Sequence, residues 1–367
     1  MKTLLRLLIK SQHQRNRSEP DQTEKGMTLV ELLVGAIMAF LIVTPMLTFV
    51  VDMLNTDRRE QVKSNTEQDL QAAADFIAQD LSQAIYIYDN NPATTSTPTT
   101  TPTGIPAIKD QLPKPANGTP ILVFWKQQPR KNSVPFNPEV AKTVKPNTCD
   151  QPANARKCDD TYVLSLVAYY LFKDSDTTWC QPSGGTCPTR IARYEITDGI
   201  KDPNATDTTD PNYPYYKDSE TKDTQRRDPA FNKDFDLSKP TVNVTVPTEL
   251  INNKSGATKP QVLVNYIDHS SNTQTQLPPT ECETALGNPK DQKTEQFLKE
   301  TTLRATDKEG INSFYACVNT EKNIARVTIR GNSLRRLQAN DADFKTTSSA
   351  FFPTATVQVK GLGARGK

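Results

Sequence analysis

Histidine is almost absent from this 367-residue chain, which contains only His13 and His269. A catalytic serine or cysteine usually needs a histidine as its base, and only His269 lies beyond the N-terminal region. It lies in a polar run that predicts an exposed loop. The sequence also lacks a phosphate-binding Walker motif. These absences argue against an enzyme, so no catalytic residue is assigned.

Metal-binding patterns are also missing. No Cys-x-x-Cys pair occurs, and histidines that would support a zinc site are lacking. The acid-rich run 206–236 has no EF-hand spacing and alternates with lysines and arginines, which favours a solvated loop. The sequence therefore predicts neither a metal nor a cofactor.

The overall charge is small. The chain carries a net charge of +2, its apolar share is 35%, and its mean hydropathy is −0.62. Nothing in this balance indicates nucleic-acid binding. Twenty-seven prolines, together with many Thr, Asn and Asp residues, favour strands joined by long surface loops.

One long apolar run is present, the uncharged segment 32–51. As a helix, these twenty residues would measure about 30 Å, which is the thickness of a bilayer's hydrocarbon core. Residues 1–26 carry six cations and three anions, and this excess predicts that they remain in the cytoplasm. The bulk of the chain is then expected outside the cell membrane.

All six cysteines follow the apolar run, which favours disulfides in an oxidising compartment. Six cysteines allow 15 pairings, so the sequence leaves the connectivity open. Proximity favours Cys149 with Cys158 and Cys180 with Cys187, which leaves Cys282 with Cys317. A zinc site is the less favoured alternative.

The segment 25–33 reads KGMTLVELL and places a charge, Glu31, at the edge of the apolar helix. It resembles the cleavage and methylation segment of type IV prepilins and type II secretion pseudopilins. The resemblance implies cleavage by a prepilin peptidase between Gly26 and Met27, N-methylation of Met27, and an assembly role for Glu31. The alternative is a plain signal anchor in which Glu31 occurs by chance.

Removal of residues 1–26 would leave 38 Lys and Arg against 39 Asp and Glu, a net charge of −1. The new amine at Met27 would be a cation at the bilayer boundary. Glu31 of a neighbouring subunit is its natural counter-charge, and pairing the two would favour correct register during assembly.

The apolar residues Leu70, Ala73, Ala74, Ile77 and Leu81, followed by Ala84, Ile85 and Tyr88, recur at helical offsets. This pattern predicts one helix over 27–88, with a membrane-spanning first half and an amphipathic second half. The Thr- and Pro-rich segment 89–120 predicts an exposed linker loop.

The remaining residues, 121–367, predict a β-rich periplasmic head domain. A short helix is expected near 294–303, and strands are expected at 121–126, 162–173, 190–196, 241–246, 261–267, 314–318, 324–330 and 354–360. The fold class is therefore α+β and pilin-like: a long N-terminal helix packed on an antiparallel sheet with long loops.

The strands at 167–173 and 190–196 also resemble a hairpin of the larger minor pseudopilins, the PilW-like and J-type group. This resemblance implies a minor subunit of a type IV pilus or type II secretion-like filament at the inner membrane, of the kind tied to hormogonium polysaccharide secretion and motility. The implied partners are other pilins, the prepilin peptidase, an inner-membrane assembly platform and the membrane. The alternative is a pilin-anchored adhesin or binding module.

Overall fold

The protein is described here from a computed structural model. The described residues are 28–90, 104–154, 156–173, 175–246, 259–271, 280–286, 299–305 and 312–363. The chain divides into two compact units, Met1–Arg58 and Arg59–Lys367. A long apolar N-terminal helix and antiparallel sheets give it an α+β fold.

Helix α1, Leu29–Ser82, is a single continuous element of 54 residues. It ends earlier than the predicted helix 27–88, because the chain then forms a strand, β1, at Ala84–Ile87. The residues of β1 satisfy helical spacing, but their β-branched and aromatic side chains also suit a strand. Pairing with a neighbouring strand decides between the two conformations, so the predicted end of the helix is wrong.

The larger sheet has five strands in the order β1-β2-β3-β4-β5, and every neighbouring pair is antiparallel. The remaining strands are β2 at Gly118–Pro135, β3 at Cys158–Phe172, β4 at Thr189–Thr197 and β5 at Gln261–Ile267. The smaller sheet has the order β6-β7-β8, with β6 at Phe314–Asn319, β7 at Ile324–Arg330 and β8 at Thr354–Lys360.

Both sheets contribute to one apolar core with the buried stripe of α1. In the second unit, α1 buries Thr66, Leu70, Ala73, Ala74, Ile77, Asp80 and Leu81. Gly331, just after β7, allows a close approach of the helix, since a Cβ there would lie 2.9 Å from atoms of both Thr66 and Leu70. The smaller sheet is thus packed tightly against the same helix.

The opposite face of the larger sheet is covered by an irregular segment rather than by a helix. The ring of Trp125 on β2 stacks on Phe235, with ring centroids 3.9 Å apart, and its indole N–H donates to the Tyr88 hydroxyl at 2.8 Å. Residues 241–246, predicted as a strand, are irregular in this cover, with one isolated bridge between Thr245 and Phe231. The Gln111 side chain explains the difference, because it accepts from the Val244 N–H at 2.8 Å and donates to the Thr241 carbonyl at 2.9 Å.

Part of the predicted linker 89–120 belongs to the core. Residues 91–103 lie outside the described residues, but a short helix, α2, occupies Ile105–Ile108. Ile105, Ile108 and Leu112 are buried. The prediction of an exposed loop is therefore wrong for 104–120, where apolar residues between the prolines reach the core.

The other helices are short. They are α3 at Pro138–Ala141, α4 at Glu281–Leu286, α5 at Glu300–Leu303 and α6 at Leu334–Leu337. Of the helix predicted near 294–303, only α5 falls within the described residues. Single 3-10 turns or short runs occur at Lys109–Gln111, Pro146–Thr148, Pro152–Asn154, Asp218–Glu220, Asp223–Gln225 and Thr346–Phe351.

Candidate functional site

The start of α1 is capped by the side chain of Thr28, the residue just before it. The Thr28 hydroxyl oxygen accepts a hydrogen bond from the Glu31 N–H at 3.3 Å, and the Thr28 carbonyl accepts from Glu31 and Leu32. Threonine followed three residues later by glutamate is the capping-box spacing, and a carboxylate in the first turn favours the helix dipole. Glu31 therefore lies in the first turn of the helix, with its N–H bonded to Thr28. Gly26 and Met27, the predicted processing residues, lie outside the described residues.

The first half of α1 exposes apolar side chains on all sides. The large ones between Leu29 and Leu54 are each 48% to 83% exposed. Exposed apolar surface of this extent marks contact with a membrane or with other proteins. By length and composition, this helix is able to cross a membrane.

The threonine hydroxyls within this stretch are satisfied inside the helix. The Thr44 hydroxyl donates to the Phe40 carbonyl at 2.8 Å, and the Thr48 hydroxyl donates to the Thr44 carbonyl at 3.0 Å. Pro45 lacks an N–H, yet the helix continues through it. These threonine hydroxyls do not depend on water for a partner, which suits a surface that faces lipid or other apolar helices.

The second half of α1 ends in a buried group of charges, here called the Asp80 cluster: Asp80, Lys126, Tyr169, Arg193 and Glu195. Asp80 accepts from Arg193 Nε at 2.7 Å, from Lys126 Nζ at 2.9 Å and from the Tyr169 hydroxyl at 2.7 Å. Glu195 pairs with the same two cations, at 3.0 Å from Lys126 and 2.8 Å from Arg193. Two cations and two anions balance, so the cluster is neutral.

The electrostatics of the cluster follow from this pairing. Burial by itself would raise the pKa of the Asp80 carboxyl, but hydrogen bonds and the positive charges of Arg193 and Lys126 hold that pKa below its usual range. The pKa of Glu195 is lowered by the same two cations against the effect of burial. Both carboxylates stay ionised, and the cluster ties the end of α1 to β2, β3 and β4.

Sequence reasoning missed the Asp80 cluster. A signal was present, since Asp80 follows Ile77 by three residues and so falls on the apolar stripe of the helix. A carboxylate on a buried face requires a partner. The partners come from three strands that lie far from Asp80 in sequence, and the pattern of one helix does not identify them.

The six cysteines form three disulfides in the pairing that proximity favours: Cys149–Cys158, Cys180–Cys187 and Cys282–Cys317. Cys180–Cys187 closes the loop between β3 and β4, where Gly184 and Gly185 adopt positive φ angles. Cys282–Cys317 joins α4 to β6.

His269 is not the solvated loop residue that the sequence predicts. It is 9% exposed, its Nε2 lies 3.2 Å from an Asp343 carboxylate oxygen, and burial lowers the pKa of its imidazole. It is the second residue after the end of β5, next to the fully buried Asp268, which explains its burial. Within the described ranges, no group of three or more His, Cys, Asp or Glu residues is placed to hold a metal ion.

Comparison with known proteins yields no match: no family model, no curated protein and no solved structure is similar to this chain. The candidate site consists of the exposed apolar half of α1 and its capped start.

Proposed function

We propose that the chain is a minor pilin or pseudopilin, a subunit of a type IV pilus or type II secretion-like filament that supports secretion or motility. The observation that carries the proposal is the division of α1 into two surfaces. Its first half is apolar and exposed all round, whereas its second half buries one stripe in the head. In such a subunit, the apolar half of the helix would contact lipid first and neighbouring helices after assembly. The other half would hold the head, so one helix needs both surfaces.

In this proposal, residues 1–26 are a cytoplasmic leader, the apolar half of α1 is the membrane and filament segment, and the head lies in the periplasm or on the filament. The three disulfides support a head outside the cytoplasm. Packing of apolar helices side by side would supply the assembly energy. The Met27 amine of one subunit would pair with Glu31 of the next, which favours correct register.

N-terminal processing tests the proposal directly. The precursor would be produced in cells that contain an active prepilin peptidase, and its intact mass and N-terminal sequence determined after purification from the membrane. We expect a chain that begins at N-methyl-Met27. Gly26→Val should retain residues 1–26, because a narrow protease site that accepts glycine has no room for a branched side chain, whereas the leader variant Gln22→Ala should be processed normally.

Assembly supplies a second readout. Glu31→Gln should be processed like the unaltered chain but recovered less often in sheared filaments, because it lacks the negative charge that pairs with the neighbouring amine. Glu60→Gln is the matched control, since Glu60 lies on the same helix and makes only a loose pair with Lys63 at 3.9 Å. If the unaltered chain keeps residues 1–26 in these cells, the protein is a signal-anchored exported domain instead.

A further inference from the structure

Strand β3 extends beyond the end of its neighbour β4. The last pair between them is Ser165 with Thr197, whereas β3 begins at Cys158. The Asp198 N–H still donates to the Leu164 carbonyl at 2.8 Å, and then the two segments separate. A cleft of about 400 Å³ lies between residues 161–164 and 198–203. In the part of the chain that the structure describes, no strand pairs with this edge of β3.

The backbone groups at this edge point into the vacant strand position. In an antiparallel sheet, successive residues direct their N–H and C=O groups to opposite neighbours. The Leu164 carbonyl faces the β4 side, so the groups of Tyr162 and Asp160 face that side too. The partner of Tyr162 on β2 is Pro129, which has no N–H to contribute. A proline is tolerated there because that pair exchanges no hydrogen bonds.

We propose that this edge binds an extended segment of a partner protein by strand addition, with Tyr162 and Asp160 supplying the main-chain hydrogen bonds. An open strand edge beside a cleft is the arrangement that strand addition uses, in which backbone bonds give affinity and side-chain pockets give specificity. Val134, Val163 and Ile200 line the cleft. Val163 and Ile200 are almost fully buried in one small cluster, so the partly exposed Val134 beside them is the apolar contact offered to an incoming side chain.

The charges identify the class of partner. Asp159 and Asp160 are exposed on the edge, and Asp198 and Asp202 line the cleft, where they outnumber Lys201. A segment that alternates lysine or arginine with apolar residues complements this surface. A second copy of this chain does not, because pairing one β3 edge with another brings aspartates together. The acidic edge also explains how the vacant position avoids self-association.

Binding can be measured on the full chain in non-ionic detergent with a short peptide that alternates lysine with valine. We expect saturable binding by calorimetry at low salt, weakened as salt rises. The same peptide N-methylated on alternate backbone nitrogens should lose at least about tenfold in affinity, because it cannot donate to the edge. A glutamate–valine peptide of the same length should not bind.

Two substitutions at one position separate backbone pairing from side-chain contact. Tyr162→Pro removes the N–H that faces the cleft and leaves the bonds to β2 intact, so the variant should fold and lose at least about tenfold in affinity. Tyr162→Ala keeps that N–H and should bind within about threefold of the unaltered chain. Thermal unfolding of both variants checks that the fold is retained.

Three outcomes would overturn the proposal. The first is no binding of the lysine–valine peptide to the unaltered chain. The second is equal binding of Tyr162→Pro or of the N-methylated peptide, which would indicate charge attraction without strand pairing. The third is concentration-dependent dimerisation that Tyr162→Pro abolishes, which would assign the edge to a second copy. None of these readouts depends on leader processing.

Discussion

At the scale of single residues, Asp80 is a buried carboxylate at which partners from three strands of the head converge. It contacts two cations and one tyrosine hydroxyl from three different strands. Removing its carboxylate leaves Lys126 and Arg193 to share Glu195 in a buried site. Breaking a buried pair in this way costs far more than the net contribution of the intact pair.

Asp80→Ala is therefore expected to lower the free energy of unfolding by about 3–5 kcal/mol. Asp69→Ala is the matched control on the same helix, because Asp69 pairs with Arg336 at a side chain that is 51% exposed. Its cost should stay below about 1 kcal/mol. Denaturant unfolding of the full chain in detergent measures both, and equal effects would contradict the central role of Asp80.

The same cluster predicts acid sensitivity. The pKa values of Asp80 and Glu195 are held below their ordinary values of 3.8 and 4.5. A carboxyl group whose pKa is lower in the folded state than in the unfolded state stabilises the fold at pH values above its unfolded-state pKa. This stabilisation is lost as the pH falls through the folded-state pKa. Stability should therefore be level near neutral pH and fall below about pH 5.

Glu195→Gln isolates this contribution, because it keeps the shape but does not titrate. Its unfolding free energy should fall less between about pH 5 and pH 3 than that of the unaltered chain. Unfolding midpoints across this range are the measurement. Parallel pH curves for the two chains would show that other carboxylates control the acid transition.

At the scale of elements, the approach of α1 to the smaller sheet depends on Gly331. A Cβ at this position would meet Leu70 Cδ1 and Thr66 Cγ2, each at 2.9 Å. Gly331→Val should destabilise the protein by about 1–3 kcal/mol through overpacking. Gly35→Ala is the control, since nothing lies within 4 Å of a Cβ there and alanine favours a helix. Thermal unfolding compares them, and an unchanged midpoint for Gly331→Val would mean that the helix shifts freely.

The disulfides differ in the length of chain that they close. Cys282–Cys317 spans 35 residues and attaches α4 to β6, whereas Cys180–Cys187 spans 7 residues. Replacing both members of the longer bond with alanine should cost about 2–4 kcal/mol, and the same change in the shorter bond should cost less. Unfolding measurements on the two double variants compare these costs. A larger cost for loss of the shorter bond would contradict the prediction.

Several elements were predictable from the sequence, and the exceptions have physical causes. Strands β5, β7 and β8 match the predicted ranges, since their apolar residues and limits are local features. Strand β1 was missed because its residues also fit helical spacing. The strand predicted at 241–246 fails because Gln111, more than a hundred residues away, binds its backbone.

The candidate site shows the same limit. The apolar run and Glu31 were evident from the sequence, since a run of uncharged residues needs no tertiary information. The Asp80 cluster and the open edge of β3 were not evident from the sequence. Each depends on which strands become neighbours and on where one strand extends beyond the end of the next. Such information is absent from the periodicity of a single segment.

At the scale of the whole molecule, the head should be independent of the apolar half of α1. Among the described residues up to Arg58, none is buried, and the second compact unit begins at Arg59. A chain that starts at Arg59 should therefore unfold with the same free energy as the full chain and remain monomeric without detergent. A chain that starts at Asp75 lacks Leu70, Ala73 and Ala74 from the core, and should be strongly destabilised.

Denaturant unfolding and sedimentation of both truncated chains provide the measurement. If the chain that starts at Arg59 is itself unstable or self-associates, the head needs the apolar half for its fold. Loss of self-association would agree with the assignment of the exposed apolar residues as the contact surface.

The two halves of α1 also differ in how freely they can change over evolutionary time. Within the part of the chain that the structure describes, residues 29–54 are all exposed, so exchanging one apolar residue for another there leaves the buried core of the head unchanged. Ala73 and Ala74 are each 2% exposed, and larger side chains have no room there. The sequence of the first half can therefore diverge rapidly as the molecules around it change, while the sequence of the second half remains nearly fixed.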